Sequence, residues 1–248
     1  SATEVLPLPI QIIGGTPGAG GDYSTTITGH ACLVGYWRLG ETSGDFQDTG
    51  GVDNDTGNDT GHTVTRSVDG AIVGDTNKAI TLDGSSGFVR VNLVDVTDGE
   101  LDVDDVFTIE AWIKKAANGV AMTIVSYDTG GPHFRIDSTN ELDLNRADTA
   151  ALASSSTTIT DTNWHHVVAT KNGSDIHIYI DGVDVTTSVT NSTISTLPVD
   201  FNIGRYRPTS ATTEYFNGSI DEVAIYNCAL TASEVLLHYQ IGIGTAET

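Results

Sequence analysis

The stretch from Phe216 to Val235, FNGSIDEVAIYNCALTASEV, ends a strand, turns and opens a helix with hardly a spare residue. Val223 and Ile225 alternate with Glu222 and Ala224, the period of two that buries one face of a β-strand. Thr231 stands three residues before Glu234, so its hydroxyl can accept the Glu234 N–H while the carboxylate reaches back, and Leu230 is placed to staple onto Val235. A short helix carrying Val235, Leu236 and Leu237 follows, and it is the only helix the pattern supports.

From Ala31 onward the chain reads as short alternating strands divided by Gly, Asp, Asn, Ser and Thr, the spacing of an antiparallel sandwich. FTIEAWIK sets Phe107, Ile109, Ala111 and Ile113 on one face, with Thr108, Glu110, Trp112 and Lys114 opposite. DIHIYIDG buries Ile176, Ile178 and Ile180, leaves His177 and Tyr179 on the other side, and ends in an Asp-Gly turn. ELDLN repeats the pattern with Leu142 and Leu144. The expectation is an all-β, two-sheet antiparallel jelly-roll sandwich in one domain, residues 31–248, with a short C-terminal helix.

Residues 1–30 differ. Val5, Leu6, Leu8, Ile10, Ile12 and Ile13 form an apolar segment interrupted by Pro7 and Pro9, which suits extended chain, and Gly14 to Gly21 has linker composition. Two readings stand: an arm whose apolar side chains dock on another subunit, or a leader or additional edge strand of the same domain.

In a chain of 248 residues, 33 Asp and Glu against 11 Lys and Arg give a net charge of −22. A surface so acidic repels a phosphate backbone and has no basic stripe, which excludes nucleic acid as a partner and suits a solvated protein. No apolar run approaches the roughly 20 residues that span a bilayer, and no signal-peptide pattern opens the chain, so membrane insertion is not expected. N-x-[ST] sequons at Asn54, Asn58, Asn172, Asn191 and Asn217 are what a Thr- and Ser-rich chain produces by chance.

Five segments in order, LVGYWRLGETSG from Leu33, KAITLDGSSGFVRV from Lys78, FTIEAWIK from Phe107, TNWHHVVATKNGSDIHIYIDGVDV from Thr162 and the closing stretch, resemble the laminin-G-like, concanavalin A-like jelly rolls. The likeness covers nearly everything from Leu33 to Tyr239. It implies two sheets of roughly fourteen strands in which the first and last strands lie side by side. It also implies sugar-binding, adhesive or displayed roles, although fold does not fix function. If those strands pair, Cys32 lies near Cys228. A disulfide is then reasonable within about 7 Å between Cα atoms, the alternative being two buried thiols. With no CxxC or Cys/His pattern, zinc is not expected.

The resemblance further implies a structural Ca²⁺ shared between an acidic loop and the closing strand. Glu41, Asp48, Asn58, Asp59 and Asp221 are its candidate ligands, although the loop is longer than the family's. The alternative is that Asp48, Asp53, Asp55 and Asp59 are turn formers bonding their own backbone. Some concanavalin A-like sandwiches are laminarinase-type glucanases with an E-x-D-x-x-E strand. Glu141 and Asp143 begin that pattern, but Arg146 stands where the acid/base belongs, so no enzyme is expected. His165 and His166 fit a strand rather than a triad.

Binding is the better expectation. One candidate face carries Trp112, Tyr179 and His177, with Glu110 and Asp143 as acceptors for hydroxyls. The other is the rim loop with Arg205, Tyr206, Arg207 and Tyr215. Two function classes follow. The first is a non-catalytic sandwich displayed outside the cell or on a virus particle, anchored to other subunits by its arm. The second is a lectin-like module for cell-surface glycans.

Overall fold

The computed structural model describes residues 21–50, 56–59, 62–91, 105–127, 131–146, 151–190, 193–194, 201–206 and 214–246. The described residues begin with helix α1 (Gly21–Thr28), then β1 (Leu33–Trp37), β2 (Gly57–Asn58), β3 (Val64–Asp69), β4 (Lys78–Asp83) and β5 (Val89–Val91). The middle holds β6 (Val106–Lys115), β7 (Met122–Tyr127), β8 (Pro132–Ile136), β9 (Glu141–Arg146), β10 (Ala151–Thr158), β11 (His165–Asn172) and β12 (Asp175–Ile180). It closes with β13 (Val183–Asp184), β14 (Thr186–Val189), β15 (Phe201–Ile203), β16 (Arg205–Tyr206), β17 (Glu214–Tyr215), β18 (Asn217–Tyr226) and α2 (Ala232–Gly242).

Among the described residues two eight-stranded sheets result. The first runs β13-β12-β11-β6-β18-β4-β3 with β1 also paired to β18, and the second runs β14-β10-β9-β8-β7-β15-β5-β2. All pairs are antiparallel, and β16 and β17 form a separate ribbon. Alternation explains the layering. Phe107, Ile109, Ala111 and Ile113 of β6, Ile176, Ile178 and Ile180 of β12, Leu142 and Leu144 of β9, and Val223 and Ile225 of β18 all enter the core between the sheets. Asp181 and Gly182, both at positive φ (53° and 76°), make the tight turn into β13.

First and last strands do lie side by side, with Leu33 opposite Tyr226 and Trp37 opposite Val223. Cys32 and Cys228 just beyond this pairing are bonded, their Cα atoms 5.8 Å apart, so the bond joins the two ends of a 196-residue separation. The helix start is also as expected: Thr231 Oγ1 accepts the Glu234 N–H, and Glu234 Oε2 accepts the Thr231 N–H at 2.7 Å. No helix among the described residues is long and apolar enough to cross a membrane.

Two features correct the sequence reading. Residues 21–28, grouped there with the arm and its linker, form a helix whose Tyr23 and Ile27 are completely buried. The outer face of the first sheet is covered. α1 and α2 lie across it, and Tyr23, Ile27, Trp112, Val168, Tyr179, Tyr226 and Val235 form a second apolar layer. Trp112 and Tyr179 therefore do not present a stacking surface for a sugar; they are 1% and 3% exposed. Outward alternation on β6 was real, but tertiary packing supplied a cover that periodicity does not reveal. The described part of the chain starts at Gly21, so Val5, Leu6, Leu8, Ile10, Ile12 and Ile13 lie outside it.

Candidate carbohydrate-binding face of the second sheet

With Phe134, Ile136, Leu142, Leu144, Val89, Phe201 and Ile203 turned into the core, their neighbours must face the other way. Those neighbours are polar on every strand. Cross-strand register lines them up as Asn145 beside His133, His133 beside Ser126, Ser126 beside Asn202, Asn202 beside Arg90 and Arg90 beside Asn58. A second row places Ser154 beside Asp143, Asp143 beside Arg135 and Arg135 beside Thr123.

The ribbon β16–β17 lies against one half of this face. Ser126 Oγ donates to the Arg205 carbonyl at 2.6 Å, Tyr206 stacks on His133 with ring centroids 4.1 Å apart, and Glu214 accepts from Arg135 at 2.8 Å. Under the ribbon Ser126, Asn202 and Thr123 are fully buried. Burial, and then the Arg135 charge, push the His133 imidazole down to about 3, so it is neutral and shares a hydrogen bond with Thr123 Oγ1 at 2.9 Å. Beside the ribbon, Phe88 holds the Arg205 guanidinium 3.6 Å from its centroid and the His62 ring at 3.7 Å, with Tyr215 at 6.4 Å. His62 is lowered by burial and by Arg205.

The other half, over β8, β9 and β10, is where polar groups converge without being used up. Arg135 bridges Glu214 and Asp143, the latter at 3.4 Å, and Ser154 donates to Asp143 Oδ1 at 2.7 Å. Burial raises the Asp143 carboxyl above its ordinary range, against the bonds from Ser154 and Arg135 that lower it. Two buried atoms here have no hydrogen-bond partner among the described residues: the acceptor Asn145 Oδ1 and the donor Arg135 Nε. They sit on neighbouring strands. A buried polar atom left unpaired costs about 1–3 kcal/mol.

Of the residues singled out from sequence, Asp143, Arg205, Tyr206 and Tyr215 belong to this face or its shoulder, and Arg207 lies outside the described residues. His177 is elsewhere, at the edge of the first sheet, bonded to Asp184 at 2.7 Å and Asp175 at 3.0 Å. Glu110 is buried beneath the helices and accepts from Tyr23, His166, His238 and Tyr226. Sequence reasoning missed His133, Arg135, Asn145, Asn202 and Glu214. The alternation of PHFRI was the available signal for the first two.

The five proposed calcium ligands do not form one site. Asp48 Oδ1 accepts the N–H groups of Tyr36 and Gly50, Glu41 accepts the Gln47 N–H, and Asn58 donates to Asp45. Asp59 pairs with Arg66 at 2.8 Å, and the same guanidinium donates to the Glu41 and Gly44 carbonyls. Asp221 is on the opposite sheet, its Oδ2 accepting the Ala71 N–H at 2.8 Å and its Oδ1 buried without a partner. Among the described residues no three of these carboxylates bring ligand atoms within 4.8 Å of one another. Two cations of the chain itself hold these loops: Arg66 for the first, and Arg38, paired with Glu222 and Asp75, beside Asp221.

Comparison with known proteins agrees with this architecture. The chain is similar to domain 4 of AbnA, an extracellular arabinanase of Geobacillus stearothermophilus, solved in complex with arabinotriose, at 21% identity and TM-score 0.62 over 84% of this chain and 98% of that one. It is also similar to the binding domain of Paraclostridial Mosquitocidal Protein 1, with 19% identity and TM-score 0.60 over 84% of this chain and 52% of that one. Trypanosoma rangeli sialidase matches at 15% identity and TM-score 0.63 over 90% of this chain but 38% of its own. At these identities the likeness is one of fold. The chain thus spans about half of the mosquitocidal binding domain and little more than a third of the sialidase. No curated protein matches. A family model described as the concanavalin A-like lectin/glucanases superfamily matches residues 83–236, more than half of the sequence, and the chain belongs to that superfamily.

Proposed function

We propose that this sandwich is a non-catalytic carbohydrate-binding module that holds a glycan on the β8–β9–β10 half of its polar sheet face. The observation that carries the reading is the coincidence of Asn145 Oδ1 and Arg135 Nε, buried and unpartnered, beside the Asp143–Arg135–Glu214 chain. Sugar hydroxyls would accept from Arg135 and donate to Asn145 and Asp143. Catalysis is not part of the proposal. Asp143 is engaged by Ser154 and Arg135, and Arg146 occupies the position where the glucanase pattern needs its acid/base. A structure of the arabinanase domain with arabinotriose makes arabino-oligosaccharides sensible first probes within a wider glycan panel. The test is calorimetric titration of wild type, Asn145→Ala and Asp143→Asn with any glycan found. Retention of full affinity by both variants would sink the site assignment.

A second reading is favoured by the apolar, proline-interrupted segment from Val5 to Ile13: the sandwich is displayed by a larger extracellular or virus-particle assembly, with that segment docked on a neighbouring subunit. The disulfide suits an oxidising setting outside the cell. Removal of residues 1–20 followed by sedimentation velocity tests it, an unchanged sedimentation coefficient per subunit counting against any role of the segment in assembly.

A further inference from the structure

The disulfide has a histidine beside it. His30, Cys32 and Cys228 each offer one ligand atom, and the three atoms lie within 4.8 Å of one another. A tetrahedral zinc ion, with Zn–S near 2.3 Å and Zn–N near 2.0 Å, needs its ligand atoms about 3.5 to 3.8 Å apart, so the separations are already of the right order. The ring is also oriented. His30 Nδ1 accepts the Cys32 N–H at 3.3 Å, so the proton is on Nε2, which donates to Glu234 Oε1 at 3.3 Å. Glu234 is itself fixed by the capping box at the start of α2, its other oxygen accepting the Thr231 N–H at 2.7 Å. A carboxylate on one nitrogen and a lone pair on the other, beside the two sulfurs, is the arrangement that prepares a histidine to ligate zinc.

We propose that reduction of the Cys32–Cys228 bond converts this joint into a Zn²⁺ site of two thiolates and His30 Nδ1, with water in the fourth position. The backbone keeps the cysteines together without the bond. Asn227 donates to the Cys32 carbonyl at 2.9 Å, Leu33 pairs with Tyr226, and the Cα atoms stand 5.8 Å apart. A water-soluble phosphine supplies the two electrons: the S–S bond breaks, two thiols form, and phosphorus leaves as the oxide with the oxygen of one water. Zn²⁺ then displaces one proton from each thiol, forms two Zn–S bonds and takes the neutral imidazole in place of the Cys32 N–H. Both cysteines and His30 are half-buried, so the ion has a route in and the imidazole is shielded from competing water. The inference is independent of the carbohydrate reading. Its consequence is that the same joint between the first and last strands stays covalently closed when oxidised and metal-closed when reduced.

Cobalt(II) is the probe. The protein is reduced with phosphine, its two thiols counted, and Co²⁺ added without air while near-UV circular dichroism follows tertiary packing. One Co²⁺ per chain is expected, with thiolate-to-metal charge transfer and the strong visible bands of tetrahedral coordination, both removed by one equivalent of Zn²⁺. The oxidised protein should give neither. His30→Ala should weaken zinc binding at least tenfold and change the visible bands, and Cys32→Ser should abolish the charge-transfer band. Equal binding by oxidised protein, no binding by reduced protein, unaltered bands in His30→Ala, or collapse of the near-UV spectrum on reduction would each overturn the proposal.

Discussion

His238 Nδ1 donates to both oxygens of Glu110, at 3.1 and 3.0 Å, and so ties the C-terminal helix to the centre of the first sheet. The carboxylate is completely buried and also accepts from His166 Nε2 at 2.7 Å, Tyr23 Oη at 3.1 Å and Tyr226 Oη at 2.9 Å. Trp112 extends the chain by donating its Nε1–H to Tyr23 Oη at 2.9 Å. Both helices and strands β6, β11 and β18 therefore meet on one acid.

That convergence gives the fold a pH window. Burial alone would raise Glu110, yet the charges and hydrogen bonds of His238 and His166 outweigh it and hold the carboxyl well below 4.5. Burial alone would lower His238, but Glu110, with Glu234 adding to it, holds the imidazolium above 6.5. The Glu110 contribution is present above about pH 4.5 and lost as pH falls through its depressed value. The His238 contribution is complete below about pH 6.5 and lost as pH rises through its raised value. Thermal melting should therefore show greatest stability from about pH 4.5 to 6.5, and His238→Gln should remove the decline on the alkaline side. Glu110→Ala, which strands two histidines, should cost about 3–5 kcal/mol in denaturant titration.

Asn145→Ala separates binding from folding. Because its Oδ1 has no partner to lose, the substitution should leave the melting temperature unchanged or slightly higher while glycan affinity falls about tenfold or more. A loss of stability without a loss of affinity would make Asn145 a packing residue only.

Asp221→Asn tests whether the closing strand needs an ion. Burial and the adjacent Glu222 push the Asp221 carboxyl well above its usual range, so its charge opposes folding at neutral pH. The amide keeps an acceptor for the Ala71 N–H, and the variant should melt at or above the wild-type temperature at pH 7 in calcium and in chelator alike. Destabilisation confined to calcium-containing buffer would instead put an ion on Asp221.

Gly242→Ala probes the helix seat. A Cβ there would collide with the Trp112 ring carbons Cζ2 and Cη2, so the helix or the indole must shift, at a cost of about 1–3 kcal/mol. The loss should appear both in denaturant midpoints and as a change in Trp112 fluorescence.

Much of the fold was legible because one physical rule governs it: inward alternation. Phe107 to Ile113, Ile176 to Ile180 and Leu142 to Leu144 could be assigned to the core from their period, and Thr231 to a capping box from its spacing to Glu234. Helix α1 was not legible, since GDYSTTIT contains β-branched Thr and Ile, weak helix formers. It is helical because Tyr23 and Ile27, four apart, fill the space above Trp112 and Tyr226.

The outward half of the alternation is where sequence and structure part. By itself the sequence determined which residues turn inward, where the last helix starts, the superfamily and the acidic surface, since each depends on local spacing or on composition. Only the tertiary structure decided which outward face meets water. Trp112, Tyr179 and Glu110 point away from the core as Arg135 does, yet two helices cover the first group, whereas Arg135 and its partner Glu214 keep 24% and 22% of their side-chain surface exposed. Cover depends on contacts between residues as distant as Tyr23, Glu110 and His238, and no local period encodes them.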